Sequence, residues 1–302
     1  FSNGHRFVAD FRYRSIIAAR GKHMIACALP HRGREQIART KDSMIRPIAA
    51  ILTLLLLQGC SAIKLGYQQL PTLSYWWLDS AVSFNDAQSV QAKDALTQLQ
   101  RWHKREELPV YADLLQRLAT QSAEPLQAQQ ICNAWEDVDK AMDRTMRQTV
   151  RLAAPVALML GPEQLSHLNQ HWVSKNKDWD KEWVQGSASE RLERRLDKTI
   201  ERYSDFYGPL SAAQTAMVKA QLQQSAWSPE WGQRDRVRRH QDLMTALQKA
   251  SQSNASALPK VEADLWGVWE RWLQPPDATG KAVMQKMVQQ GCENLAQLHN
   301  SA

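Results

Sequence analysis

An all-α fold is what this sequence predicts, and three observations carry the prediction. From Asn85 onward the chain is built mostly of Gln, Ala, Leu, Glu, Lys and Arg, residues that lose little freedom in a helix. Runs of β-branched residues of strand length are missing there. Breakers arrive at helical intervals: Pro109, Pro125, Gly161-Pro162, Gly208-Pro209, Ser228-Pro229, the SQSNAS loop at 251–256, and Pro275-Pro276. Together they predict a single domain over residues 85–302, of about seven or eight amphipathic helices.

The elements ahead of that domain differ in kind. Residues 1–43 are basic and patternless, and they open on Phe1. A new segment starts at Met44-Ile45-Arg46, a short positive stretch followed by almost unbroken apolar residues over 48–57 and then Leu57-Gln58-Gly59-Cys60. A membrane-crossing helix needs about 20 apolar residues, so the run has the length of a signal-peptide core instead. LQGC resembles the bacterial lipobox, in which cleavage precedes the cysteine and the thiol carries diacylglycerol. Gln58 departs from the small or β-branched residue usual in that box. The resemblance makes residues 44–59 a cleaved lipoprotein signal peptide, Cys60 the lipidation site, residues 60–84 a lipidated tether, and residues 1–43 a disordered upstream extension outside the mature protein. A short core helix ending in an ordinary cysteine fits less well, given the lone Arg46 before it and the polar, Trp-rich segment after it.

Charge divides the chain at the same place. The whole sequence carries a net +7, yet residues 1–59 hold ten Lys+Arg against three Asp+Glu, which leaves 28 of each over 60–302. Nucleic-acid binding, which asks for a basic folded domain, loses its main support. The sequence also lacks GxxxxGK[ST], GxGxxG and GxSxG, so nucleotide, dinucleotide and serine-hydrolase readings have none. No cofactor is expected.

Of the four cysteines, at 27, 60, 132 and 292, the last two sit in matching settings, QQICNAW and QQGCENL. Export to an oxidising compartment predicts a Cys132–Cys292 disulfide, with two separate buried thiols as the alternative. With no CxxC and so wide a spacing, a metal or redox site at these cysteines is not expected.

Within the helical part, FNDAQ at 84–88, LGPEQ at 160–164 and LSAAQ at 210–214 share a start signal: an apolar residue, a cap position, then Gln three residues on. This is the capping box, in which the cap side chain accepts from the amide of the Gln and the Gln reaches back. Gly161 has no side chain to cap with, but Pro162 suits the first helical position. Leu192, Leu196, Ile200 or Thr199, Tyr203 and Phe206 mark a buried stripe on SERLERRLDKTIER and its continuation, with Glu190 and Arg194 paired outside. RDRVRRH at 234–240 is expected as a solvated helix face, with contact to a polyanion or anionic lipid as the rival reading.

Tyr75, Trp76 and Trp77 follow Cys60 closely. Their place just before SFNDAQ predicts that they seat the first helix on the bundle; the other reading puts them at a membrane interface. All 12 tryptophans lie after residue 59. The sets Trp179/Trp183, Trp227/Trp231 and Trp266/Trp269/Trp272 recur at helical steps and are expected as core anchors. A row of exposed rings beside Asp178, Asp180 and Glu182 would instead suit a sugar polymer of the cell wall, with two carboxyls in acid and base roles. Glu163, His167 and His171 fall at i, i+4 and i+8, a spacing usable by a metal, though paired histidines one turn apart are common on solvated faces and no HExxH is present. No catalytic constellation emerges.

The blocks GCSAIKLGYQQLPTLSYWWLDSAVSFNDAQ at 59–88, WHKREELPVYADLL at 102–115 and CENLAQLHNS at 292–301 resemble a family of proteobacterial lipoproteins known only as a domain of unknown function. That resemblance implies an all-helical lipoprotein and brings no activity or catalytic residue. LGPEQ and LSAAQ are similar to the LTxxQ repeats of small periplasmic stress chaperones, although both lack the Thr. Ser61 after Cys60, in place of Asp, implies the outer membrane by the bacterial sorting rule it resembles. The sequence therefore leads to a lipid-anchored, periplasm-facing protein that binds or scaffolds an envelope protein partner. The alternative is an enzyme or adaptor acting on peptidoglycan through its Trp and carboxylate sets.

Overall fold

A long helical hairpin sets the frame, and the remaining helices are laid against it. In the computed structural model, residues 63–302 are described. Residues 63–68 are helical, and the elements that follow are α1 (Leu70–Val82), α2 (Asp86–Gln121), α3 (Ala128–Ala157), α4 (Pro162–Trp179), a π-helical turn (Asp180–Val184), α5 (Ala188–Tyr207), α6 (Ala212–Gln223), α7 (Pro229–Ser251), a 3-10 turn (Ala255–Ala257), α8 (Leu258–Leu273) and α9 (Ala278–Asn300). The described residues contain no strand, as an all-α fold requires. The expected signal peptide at 44–59, the expected lipidation site Cys60 and residues 1–43 lie outside the described residues.

The folded unit begins at Ile63, well before position 85. A left-handed turn at Ser83 (φ 60°) folds α1 back along α2, and α1 buries Tyr75, Ala81 and Val82. Residues 63–84 are therefore part of the domain and not a tether. Pro109, expected as a break, lies inside α2. An interior proline forfeits a helical hydrogen bond at about 3 kcal/mol. The turn before it is held from outside: Arg144 of α3 donates to both oxygens of the buried Glu107 at 2.8 and 2.9 Å.

α3 is the central helix, packed against α2, α7, α8 and α9. Its Val150, Ala154 and Ala157 meet Ala246 and Ala250 of α7 and Val261, Leu265 and Val268 of α8. The alanines let the helix axes approach closely, so even one added methylene there is felt. A second cluster joins α1 to α4 through Ala81, Val82, Leu165 and Leu168, and a third joins α5, α6 and α9 through Leu196, Val218 and Leu298.

The expected start signals form, and they do more than cap. Asn85 Oδ1 accepts from the amide of Gln88 at 3.0 Å while Gln88 Oε1 accepts from that of Asn85 at 2.9 Å, and Ser211 with Gln214 repeats the exchange. At Gly161 only the return bond exists, 2.8 Å to Gln164 Oε1. Each glutamine then spends its NH2 on another element: Gln88 and Gln164 bond to each other, which locks the starts of α2 and α4 together, and Gln214 donates to Ser301 O at 3.0 Å. Gln88 is 1% exposed, so an unmet amide there would cost on the order of 1–3 kcal/mol.

Cys132 of α3 and Cys292 of α9 are bridged, with Cα atoms 5.5 Å apart. Farther along, Asn300 accepts from Leu126 N at 2.8 Å and donates to Leu126 O at 2.9 Å. Bridge and clamp together fasten α9 antiparallel to α3 at the tip of the hairpin.

Candidate functional site

The most unusual surface of the domain belongs to α1. Pro71 opens the helix, and it ends where Asp79 Oδ1 accepts from Phe84 N at 2.9 Å. Its inward face holds Tyr75, Ala81 and Val82; Tyr75 donates to Ser89 Oγ at 2.9 Å, and Lys93 sits 4.3 Å above its ring. Thr72, Leu73, Trp76, Trp77 and Ser80 are exposed, the i, i+1, i+4, i+5, i+8 pattern of one helix face, and none of them is charged. Trp76 is 62% exposed and Trp77 55%. Of the three aromatics, then, Tyr75 alone seats the helix, at 8% exposure, and it is no candidate for an interface. The two tryptophans face outward.

Upstream of α1 the same character continues, with Ile63 and Leu65 both exposed. Tyr67 anchors this first turn to the middle of α2, its hydroxyl 3.0 Å from His103 Nδ1 and its carbonyl accepting from Gln100 Nε2. Burial holds the His103 ring below its ordinary pKa, opposed in part by the nearby Glu107 carboxylate. Exposed Lys64, Arg101, Lys104 and Arg105 surround this contact in sequence.

Glu163, His167 and His171 share α4 without forming a site. His167 Nδ1 donates to Ala81 O at 3.0 Å and lies 3.3 Å from Ser83 Oγ, tying α4 to the end of α1, while Glu163 is exposed in the first turn. His171 is held low by burial and by the charge of Lys175. Among the described residues, no three His, Cys, Asp or Glu side chains stand where they could hold a metal ion.

The DWDKEW segment buries its rings, exposes Asp178 and leaves Asp180 and Glu182 half-buried. Trp179 and Trp183 are buried with centroids 5.7 Å apart, one at the end of α4 and the other in the π-helical turn. Asp178 pairs on the surface with Lys175 at 3.7 Å. Both oxygens of Asp180 are taken, by Gln233 at 2.9 Å and Gln185 at 2.8 Å.

RDRVRRH departs from the solvated face expected of it. Asp235, buried, accepts from Arg238 at 2.7 Å and pairs with Arg239 at 2.6 Å; Arg238 also donates to Arg271 O of α8 at 3.0 Å. Arg236 donates to Asn176 of α4 at 2.8 Å and lies over the Trp179 ring, and Arg239 lies over that of Trp272. His240 stacks flat on Trp172 at 4.7 Å, and burial together with Arg236, Arg239 and His171 pushes its pKa down to about 4. These charges are the joint between α4, α7 and α8. The helical period alone does not reveal the joint; the one sequence signal is Asp235, a lone acid three and four residues from two arginines.

Fold and surface thus define an all-helical domain with a polar interior joint and one apolar outer helix face. The chain belongs to DUF6279, a family of unknown function, whose model matches residues 80–292. No curated protein and no solved structure matches it.

Proposed function

We propose that this chain is a lipid-anchored protein of the bacterial envelope, held through Cys60 at the outer membrane and facing the periplasm, whose helical domain binds or scaffolds a protein partner. The observation that supports a binding role is how the catalytic-looking side chains are used. Glu107, His167, Asp180 and Asp235 each join two segments of the bundle or brace a neighbouring turn, and Trp179 and Trp183 fill its interior. Long helices meanwhile offer extended surfaces suited to another helix or an unfolded segment; the second half of α2 is largely exposed, Val110 and Leu115 included. The likeness to LTxxQ chaperones adds little, because each glutamine is accounted for by a cap and an inter-element bond.

Crosslinking in living cells tests the reading. Recurrent capture of the same envelope proteins, lost when the helical domain is deleted, is the expected result. Cleavage of purified cell-wall material by the mature domain, abolished by Asp178→Asn or Glu182→Gln with the fold intact, would overturn it.

A further inference from the structure

The outer face of α1 is exposed and uncharged. Thr72, Leu73, Trp76, Trp77 and Ser80 present two indoles and a leucine to the outside with no charge among them, whereas the exposed positions of α2 include Lys93, Asp94, Arg101, Lys104 and Arg105. Trp is favoured where an apolar body and a polar N–H can both be met, as at a bilayer's headgroup layer.

We infer that this face lies in the interface of the membrane that carries the protein, so that α1 is a second point of attachment and fixes how the domain stands on the bilayer. The inference rests on the lipid anchor at Cys60 and says where that anchor places the fold. Chain length keeps the contact within reach. Three residue steps separate Cys60 from Ile63, a reach of at most about 10 Å. Residues 63–76, helical except for one turn at Gln69, add only about 20 Å at the α-helical rise. Trp76 therefore stays within about one bilayer-core thickness of the lipidated cysteine. Between them the exposed side chains continue the apolar character, with Ile63, Leu65 and Leu73. Lys64 on this segment, with Arg101 and Lys104 on the adjoining middle of α2, supplies the positive charge that anionic headgroups attract. A second copy of the chain is the weaker occupant: one leucine and two tryptophans fall well short of the ~800 Å² per partner of a standard protein interface.

Brominated phospholipid in the acyl region quenches only those indoles that reach the bilayer. The lipidated full-length mature protein is reconstituted into phosphatidylethanolamine–phosphatidylglycerol vesicles with and without dibrominated chains, alongside the doubly substituted Trp76→Phe/Trp77→Phe protein. The wild type is expected to lose roughly a sixth of its emission, the share of two rings among 12. The double variant, which keeps the face apolar and the anchor intact, is expected to lose almost none. Equal quenching of both, or none in either, while both float with the vesicles, overturns the membrane-facing helix and leaves the anchor standing. Failure of the wild type to float defeats the anchor itself, and this inference with it. A crosslinked dimer that disappears in the double variant, with no quenching, assigns the face to a second copy and also overturns it.

Discussion

Along α7, Arg236, Arg238 and Arg239 are turned toward neighbouring helices and held there by Asn176, Asp235 and two indole rings, whereas α1, with Asp79 as its single charge, turns Trp76 and Trp77 outward. Both helices invert what their residue types suggest. The reason is who stands beside them. α7 lies between α4 and α8, whose carbonyls, amides and rings can satisfy a guanidinium, and the flat guanidinium stem packs as well as it bonds. α1 has α2 and α4 on one side only, and its other side carries the exposed Trp76 and Trp77.

Stability measurements can sharpen that contrast, and the disulfide sets the scale. Replacing Cys132 with Ser opens a loop of 160 residues between the bridged positions, for which the chain-entropy account gives a loss of up to about 5 kcal/mol. Urea unfolding of that variant is expected to show the largest decrease of the series, and a shift under 1 kcal/mol would mean that the Asn300 clamp holds α9 by itself.

Next comes Asp235→Ala, which leaves the mostly buried Arg239 without its carboxylate. Burial already pushes the Arg239 guanidinium down and Asp235 is the main group opposing it, so the variant should lose roughly 3 kcal/mol, the range for breaking a buried pair from one side. A solvated RDRVRRH face would lose under about 0.5 kcal/mol, and that result would remove α7 from the comparison.

Acid should loosen the same joint. His240 binds its proton near pH 4 when folded but near its ordinary 6.5 when unfolded, so its contribution is fully present above about 6.5 and is lost as pH falls toward 4. Melting temperature followed between pH 7 and pH 4 should fall less steeply in His240→Phe, which keeps the flat stack on Trp172 and removes the titration. Parallel pH profiles for the two proteins would contradict the assignment. The smallest effect is expected at α1: Trp76→Ser/Trp77→Ser should unfold within about 0.5 kcal/mol of the wild type in detergent-free buffer, because those rings are not part of the core.

What could be read from the sequence follows the range of the forces involved. Helix propensity, capping and breakers act within a few residues, so the all-α class, the Asn85 and Ser211 caps and most breaks are legible. The disulfide is legible from the matched settings of its two cysteines and the export expected of the chain. Exposure is not local. Phe206, assigned to the buried stripe of α5, is 85% exposed because Tyr207, one position on, takes the inward place against α6 and α9. Arg238 finds the carbonyl of Arg271, and Gln88 finds Gln164, across intervals that no period in the sequence encodes. Pro109 fails as a break for the same reason, since Arg144 of another helix steadies the turn around it. At the candidate surface the sequence singles out Tyr75, Trp76 and Trp77, but only the packing of α1 separates the inward ring from the outward pair.

The central claim is that the chain is carried on a membrane by Cys60, and the intact mass of the protein purified from membranes tests it most directly. The account predicts a mature chain that starts at Cys60 and exceeds the mass of residues 60–302 by a diacylglycerol group and any further acyl chain, with the Cys132–Cys292 bridge intact. An unmodified Cys60 inside a chain that still carries residues 44–59 would contradict it.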